Sequence, residues 1–454
     1  MNDGAGSRIL VDTTQTCLQE GMNTGIQRVV RNVALRAESV GARLGVEIVP
    51  VVARPYGFCA VLHPAEALAV RPGSGGSGVA SASGAGGASW LGLAKRLLRA
   101  SPRLYEGVQR GWYRLQRRRR LAQVSAGPPV HWRDGDVLLL LDRFWGDSLE
   151  PGGTVGVAQR RRGRGVSLVG VVYDMIPCTH PQFFDADSVG HFTRGITAAL
   201  TSAEGLVAIS ATVAEQVNDY AASLSPQARH PVRVDYSHLG SDFAAALGTT
   251  ATGLGATVWP DGLWTAGPVF LMLGTLEPRK GHAFVLEAFA QRWAAGARET
   301  LLFIGKPGWS MGAELERFRA SPQRGRCFFI SEDAGDAAVV EAIARSRAGI
   351  LASTVEGFGL PLVEFMQKGL PVLASDIPVF REVGGDYPLY FALDQPACLA
   401  AAVDRFYAQE PHLRRRLASF RWPNWDAAAE ALIGKVIALA RAPGTASGAP
   451  PGAG

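Results

Sequence analysis

The chain has 454 residues, more than one hydrophobic core organises, so two domains of roughly 150–250 residues are the natural reading. Hydrophobic residues at 47% and charged residues at 19% exclude global disorder, and no apolar run reaches the roughly 18 residues of a spanning helix. Five scattered cysteines without a Cys-x-x-Cys pair, and a start that lacks an apolar leader core, point to a reduced cytoplasmic setting; the net charge of +6 is modest.

Taken in chain order, residues 9–12 read as a short buried strand, followed by a polar loop, 19–25, and a helix with apolar Ile26, Val29, Val30 and Val33. The β-branched run 46–52 predicts a second strand, and strand, loop, helix, strand is how a Rossmann-like domain opens. Residues 72–125 form a flexible, then basic, insertion. Its run Gly73-Ser74-Gly75-Gly76-Ser77-Gly78 fits the spacing of a dinucleotide loop but lacks the strand before and helix after that such a loop needs. Between Lys95 and Leu121 ten basic residues face one acid, Glu106, among Leu, Tyr, Trp and Val. A basic amphipathic segment of this kind suits an anionic membrane surface; the alternatives are a solvated face or, as a third option, nucleic acid, which is not the expected partner.

Strands are predicted again at 137–141, 166–172 and 204–210, the last ending in a helix cap before 213–220. A weakly patterned stretch, 241–267, separates an N-terminal domain, 1–250, from a C-terminal one, 268–441; the Gly/Pro/Ala-rich tail 442–454 is expected to be disordered. In the second domain strands at 269–273, 300–304, 326–330, 349–352 and 371–374 alternate with helices at 283–293, 337–345 and 361–368, which predicts a parallel sheet covered on both faces.

Two loops of that second domain carry the chemistry. In Glu356-Gly357-Phe358-Gly359-Leu360-Pro361-Leu362-Val363-Glu364 a strand ends, glycines let the backbone approach a ligand, and Pro361 suits the first helical turn, whose free N–H groups attract an anion. Glu356 in the loop and Glu364 inside the helix can face one cleft and touch different parts of a long ligand, such as a diphosphate between a sugar and a ribose. In Gly274-Thr275-Leu276-Glu277-Pro278-Arg279-Lys280-Gly281, the adjacent cations at a strand's carboxyl end suit phosphate charge. Asp185-Ala186-Asp187 has the form of a metal-binding Asp-x-Asp but does not follow a clear strand, and the dispersed histidines have no ligand spacing, so no metal or other cofactor is expected.

Together these segments, with residues 378–383, resemble the family 4 retaining glycosyltransferases over roughly residues 268–430, with weaker similarity upstream at Gly25-Ile26-Gln27-Arg28, Tyr173-Asp174, the Ile209-Ser210 turn, and His238-Leu239-Gly240-Ser241-Asp242. The resemblance implies the GT-B fold, α/β with two Rossmann-like domains whose parallel sheets face across a cleft. It implies that Glu356 contacts the donor sugar and Glu364 the ribose, and that Arg279 and Lys280 contact the diphosphate. Phe358, Gly359 and Leu360 would give backbone contacts, Gly25 would sit in a closing acceptor-domain loop, and Asp174 would position the acceptor. Thr275 stands where many members carry Arg, and Tyr173 where a His is common, so neither role transfers. The implied reaction moves a sugar, mannose from GDP-mannose before the UDP- or dTDP-linked alternatives, to a saccharide or lipid-linked acceptor in cell-surface polysaccharide assembly. The enzyme would work in the cytoplasm or peripherally on the inner membrane face. A phosphorylase, an epimerase and a non-catalytic nucleotide-sugar scaffold on the same fold are the competing readings.

Overall fold

The structure is a computed structural model that describes residues 8–18, 25–54, 57–69, 119, 124, 126–145, 154–156, 165–224, 232–242, 259–308 and 311–441. The 95–121 basic segment and the 442–454 tail therefore lie outside the described residues, apart from Arg119. The chain divides into two compact units. One takes in the described residues up to Val171 with Ser202–Glu204; the other takes in Val172–Thr201 and the described residues from Gly205 on.

The first unit is built on strands β1 (Arg8–Asp12), β2 (Glu47–Arg54), β3 (Gly57–Val61), β4 (Ala126–Pro129), β5 (Val137–Leu140) and β6 (Ser167–Val172), in the order β4-β3-β2-β1-β5-β6. Strand β1 pairs in parallel with β2, Ile9 opposite Ile48, and with β5, Ile9 opposite Val137. All five residues of β1 are buried, as expected of a central strand covered on both faces. A fork from Arg8 to Asp136, Nε to Oδ1 at 3.0 Å and Nη2 to Oδ2 at 2.6 Å, fixes the start of β1 against the turn before β5. Strands β3 and β4 add an antiparallel edge that the sequence reading does not contain. They flank the long insertion, where short segments of mixed polarity carry no clear period.

In the second unit β7 (Gly205–Ala208) and β8 (Arg233–Tyr236) pair in parallel. Six more strands form a second sheet: β9 (Val269–Leu273), β10 (Thr300–Ile304), β11 (Phe328–Ser331), β12 (Ala348–Leu351), β13 (Val372–Ser375) and β14 (Leu389–Phe391). Their order is β11-β10-β9-β12-β13-β14, with every neighbouring pair parallel. In chain order this is 3-2-1-4-5-6, the doubly wound arrangement, and the direction of winding reverses between β9 and β12. The expected alternation is present, with β11 starting two residues later than predicted. The Gln323 carbonyl accepts the N–H groups of Arg326, Cys327 and Phe328 in turn, so the chain is still in a tight turn where the apolar run begins. The core on this sheet is aromatic: Phe270 meets Phe289 and Phe406 edge-on at 5.4 and 5.7 Å, all three fully buried.

Candidate active site

In a doubly wound sheet the carboxyl ends of the strands on either side of the winding reversal splay apart, and ligands bind in the crevice there. Here those ends are the loops after β9 and β12, which carry the two segments singled out in the sequence. The Thr354 N–H donates to the Arg279 carbonyl at 2.8 Å, so the two loops are joined through their backbones.

The side chains meet around Glu356. Its carboxylate is 8% exposed, accepts from the Ser353 hydroxyl at 2.8 Å and from Lys280 Nζ, and forms an ion pair with Arg279 Nη1 at 3.0 Å. Arg279 also pairs through Nε with Glu277 at 2.9 Å and donates to the Val355 carbonyl at 3.2 Å. Burial by itself would raise the Glu356 carboxyl, yet Lys280 and Arg279 outweigh it and hold the group at about 2. Burial lowers Lys280, aided by Arg279 and opposed by Glu356, and the same burial raises Glu277 against the pull of the two cations. Behind Glu356, Ser375 at the end of β13 donates to the Ser353 carbonyl at 2.6 Å. Sequence reasoning missed Glu277, Ser353 and Ser375, since single polar residues at strand ends have no spacing pattern.

The two glycines of this loop are required by the fold itself. A Cβ at Gly357 would lie 2.0 Å from the Tyr173 carbonyl oxygen, so only glycine lets the loop pass there. Gly359, at φ +91, turns the chain into the helix Leu360–Gln367, with Pro361 in its first turn. That helix directs its N-terminus to the same strand ends and carries Glu364, 2% exposed. Phe358 and Leu360 are buried at 3% and 8%, so their backbones rather than their rings or branches are what a ligand would meet.

Asp174 belongs to the same unit. Its Oδ1 accepts the Ile176 N–H at 3.1 Å, and burial raises its carboxyl, a shift that Arg279 counteracts and Glu356 reinforces. It is thus both a turn cap and a neighbour of the charged cluster. Gly25 is exposed and opens the helix Gly25–Leu35 of the first unit. Asp185 caps the helix Ala186–Ser202, accepting the Ser188 N–H and hydroxyl, both at 2.8 Å. Thr275 is exposed beside Gly274.

Residues 262–420 match the family described as glycosyl transferases group 1. The chain is 36% identical over 289 residues to an Escherichia coli serotype-specific mannosyltransferase, WbdA, covering 62% of this chain and 35% of that protein. A second WbdA from the same species is 35% identical over 327 residues, 70% of this chain and 39% of the relative. The chain thus spans about two fifths of the length of these relatives. Among solved structures, Anabaena HepE in complex with UDP and glucose superposes with a TM-score of 0.51 at 12% identity, covering 96% of this chain and 97% of that one. Sucrose-phosphate synthase from Thermosynechococcus elongatus gives 0.54 at 15% identity, covering 95% and 98%. The fold is GT-B, two parallel-sheet α/β domains.

Proposed function

We propose, for a chain whose residues 262–420 are a group 1 glycosyl transferase domain, that it transfers mannose from GDP-mannose to a saccharide or lipid-linked saccharide, with retention at the anomeric carbon. The observation that carries the reading is the buried Glu356 carboxylate bracketed by Arg279 and Lys280 where the winding of the second sheet reverses. The mannosyl donor and the setting, cell-surface polysaccharide assembly, are supported by the similarity to WbdA and, over 117 residues at 30% identity, to an E. coli O-antigen chain mannosyltransferase.

In this mechanism the diphosphate binds against the first turn of the helix Leu360–Gln367, and Arg279 and Lys280 stabilise the charge that builds on it as the glycosidic bond breaks. Glu356 orients the sugar, Glu364 holds the ribose hydroxyls, and backbone groups of Phe358, Gly359 and Leu360 line the path. Asp174, whose raised carboxyl borders Arg279 and Glu356, positions the acceptor hydroxyl on the face the diphosphate leaves, and Gly25 belongs to the acceptor-side loop. No metal or other cofactor is part of the scheme. The work is done in the cytoplasm, with peripheral attachment of the basic 95–121 segment to the inner membrane face; no helix among the described residues is long and apolar enough to cross a membrane.

A thermal-shift series with GDP, UDP, dTDP and ADP tests this, because a ligand that binds only the native state raises its melting point. GDP should stabilise the wild type and fail to stabilise Glu364→Ala. A shift with UDP or dTDP alone reassigns the donor. No shift with any of them removes the nucleotide site and the transfer reading with it, and a shift without transfer to any acceptor leaves the scaffold reading.

A further inference from the structure

The loop that carries Glu356 is held from outside by groups that share one anchor. Glu382, on the helix Pro378–Gly384, accepts four hydrogen bonds: from the Ala211 N–H at 2.6 Å and His238 Nε2 at 2.7 Å on Oε1, and from the Thr212 N–H at 2.8 Å and its hydroxyl at 2.7 Å on Oε2. Burial would raise this carboxyl, yet His238, Thr212 and the two backbone donors bring it to about 2, so it is a carboxylate at any working pH. Its hold on Ala211 and Thr212 fixes the start of the helix Ala211–Ser223 and therefore Ser210, the residue that caps it.

Ser210 and His238 both touch the residues after Glu356. The Ser210 hydroxyl donates to the Gly357 carbonyl at 2.8 Å. The His238 ring lies 5.8 Å from Phe358 and is stacked on Trp422 at 5.5 Å. Gly357 and Phe358 are thus gripped by two side chains that are far apart in sequence and tied to a single carboxylate.

We propose that Glu382 is a positioning residue for transfer, acting through Ser210 and His238 to fix the backbone of Gly357 and Phe358 and with it the aim of Glu356. The inference rests on the glycosyl-transfer reading. Only a carboxylate fills the place, since all four bonds need acceptors; an amide would turn one oxygen into a donor that faces two donors. A loop that is loosened but present should still bind nucleotide, because Glu364 and the helix N-terminus are untouched, while the reacting sugar loses its alignment.

The test compares wild type, Glu382→Gln, Ser210→Ala, the double variant and Glu356→Gln with GDP-mannose as donor and octyl α-mannoside as acceptor, with GDP binding followed by calorimetry. Glu382→Gln and Ser210→Ala should each lower kcat roughly tenfold or more, with GDP affinity and stoichiometry unchanged. The double variant should be no worse than Glu382→Gln alone, as expected of residues in one chain of action. An unchanged kcat in Glu382→Gln, a fall in kcat matched by a fall in GDP stoichiometry, or losses that multiply in the double variant would each overturn the proposal. If Glu356→Gln loses transfer while Glu382→Gln keeps it, only the positioning role fails. If Glu356→Gln also keeps it, the role given to Glu356 fails as well; if the wild type itself transfers no mannose, the transfer reading fails.

Discussion

Lys280 has the most to do with the least help from solvent. It is lowered by burial and by Arg279, and Glu356, then Glu277, favour its charge, so its ammonium depends on partners that are themselves part of the site. Replacing it, as in Lys280→Met, should leave the nearly isosteric stem in place, keep Arg279 on Glu356, and lower kcat by about 10²–10³-fold, the range for loss of one preorganised charge-stabilising donor. Kinetics with a fixed donor check this; a loss confined to KM would mean that Lys280 serves ground-state binding only. Glu356, Glu364, Arg279 and Lys280 were legible in the sequence because each lies within a few residues of a glycine or proline that marks a loop at a strand end. Ser353 and Glu277 were not, and neither was the role of Glu382 and Ser210. The segments of Glu382 and Ser210 resemble the family's, but the bonds that give them meaning span up to 171 residues, and no local pattern records a bond of that length; Ser353 and Glu277 bond within three residues, but a single polar residue at a strand end has no spacing pattern.

At the scale of elements, the turn into the helix Leu360–Gln367 is a fixed piece of backbone. Gly359→Ala would force a side chain into φ +91 and set its Cβ 2.6 Å from the ring of Phe380, which is 1% exposed and cannot withdraw. Strain of this kind costs about 1–3 kcal/mol. A melting point lowered by several degrees, together with loss of the GDP-induced shift, is the expected outcome; an unaltered melting point would show that the helix start tolerates another path. Long, regular elements were read well from sequence: β9, β10 and the helix His282–Ala294 fall within a residue or two of their predicted bounds, since a buried parallel strand is a continuous apolar run. The edge pair β3 and β4 and the three-residue β14 were not found. Edges are half solvated, short and shaped by whatever lies next to them, so composition says little about them.

For the molecule as a whole, the pH of greatest stability is set in part within the first unit. Asp12 and Asp142 are both buried, just where the adjacent strands β1 and β5 end. Burial, then the charge of Asp142, raises the Asp12 carboxyl from 3.8 to about 7, although Thr14 bonds to it. The native state therefore keeps a proton that the unfolded chain has already released, and stability from this group falls as pH climbs from about 4 to about 7. Asp12→Asn cannot ionise and retains an oxygen for Thr14. Its melting point relative to wild type should be higher at pH 8 than at pH 5, and an equal difference at the two pH values would show that Asp12 does not control this part of the curve.

The cations of the candidate site never stand alone. Arg279 and Lys280 share their neighbourhood with Glu356 and Glu277, so the formal charges of the four groups cancel when all are ionised. An arriving diphosphate does not fall into a well of positive potential; it must trade places, drawing the two cations toward itself and away from carboxylates that already occupy them. Simple inorganic anions gain little from such an exchange. On the proposed reading, a donor that also offers hydroxyl groups to Glu356 gives the displaced carboxylate something to hold, so the pairing that quiets the site favours the intact donor over the bare nucleotide.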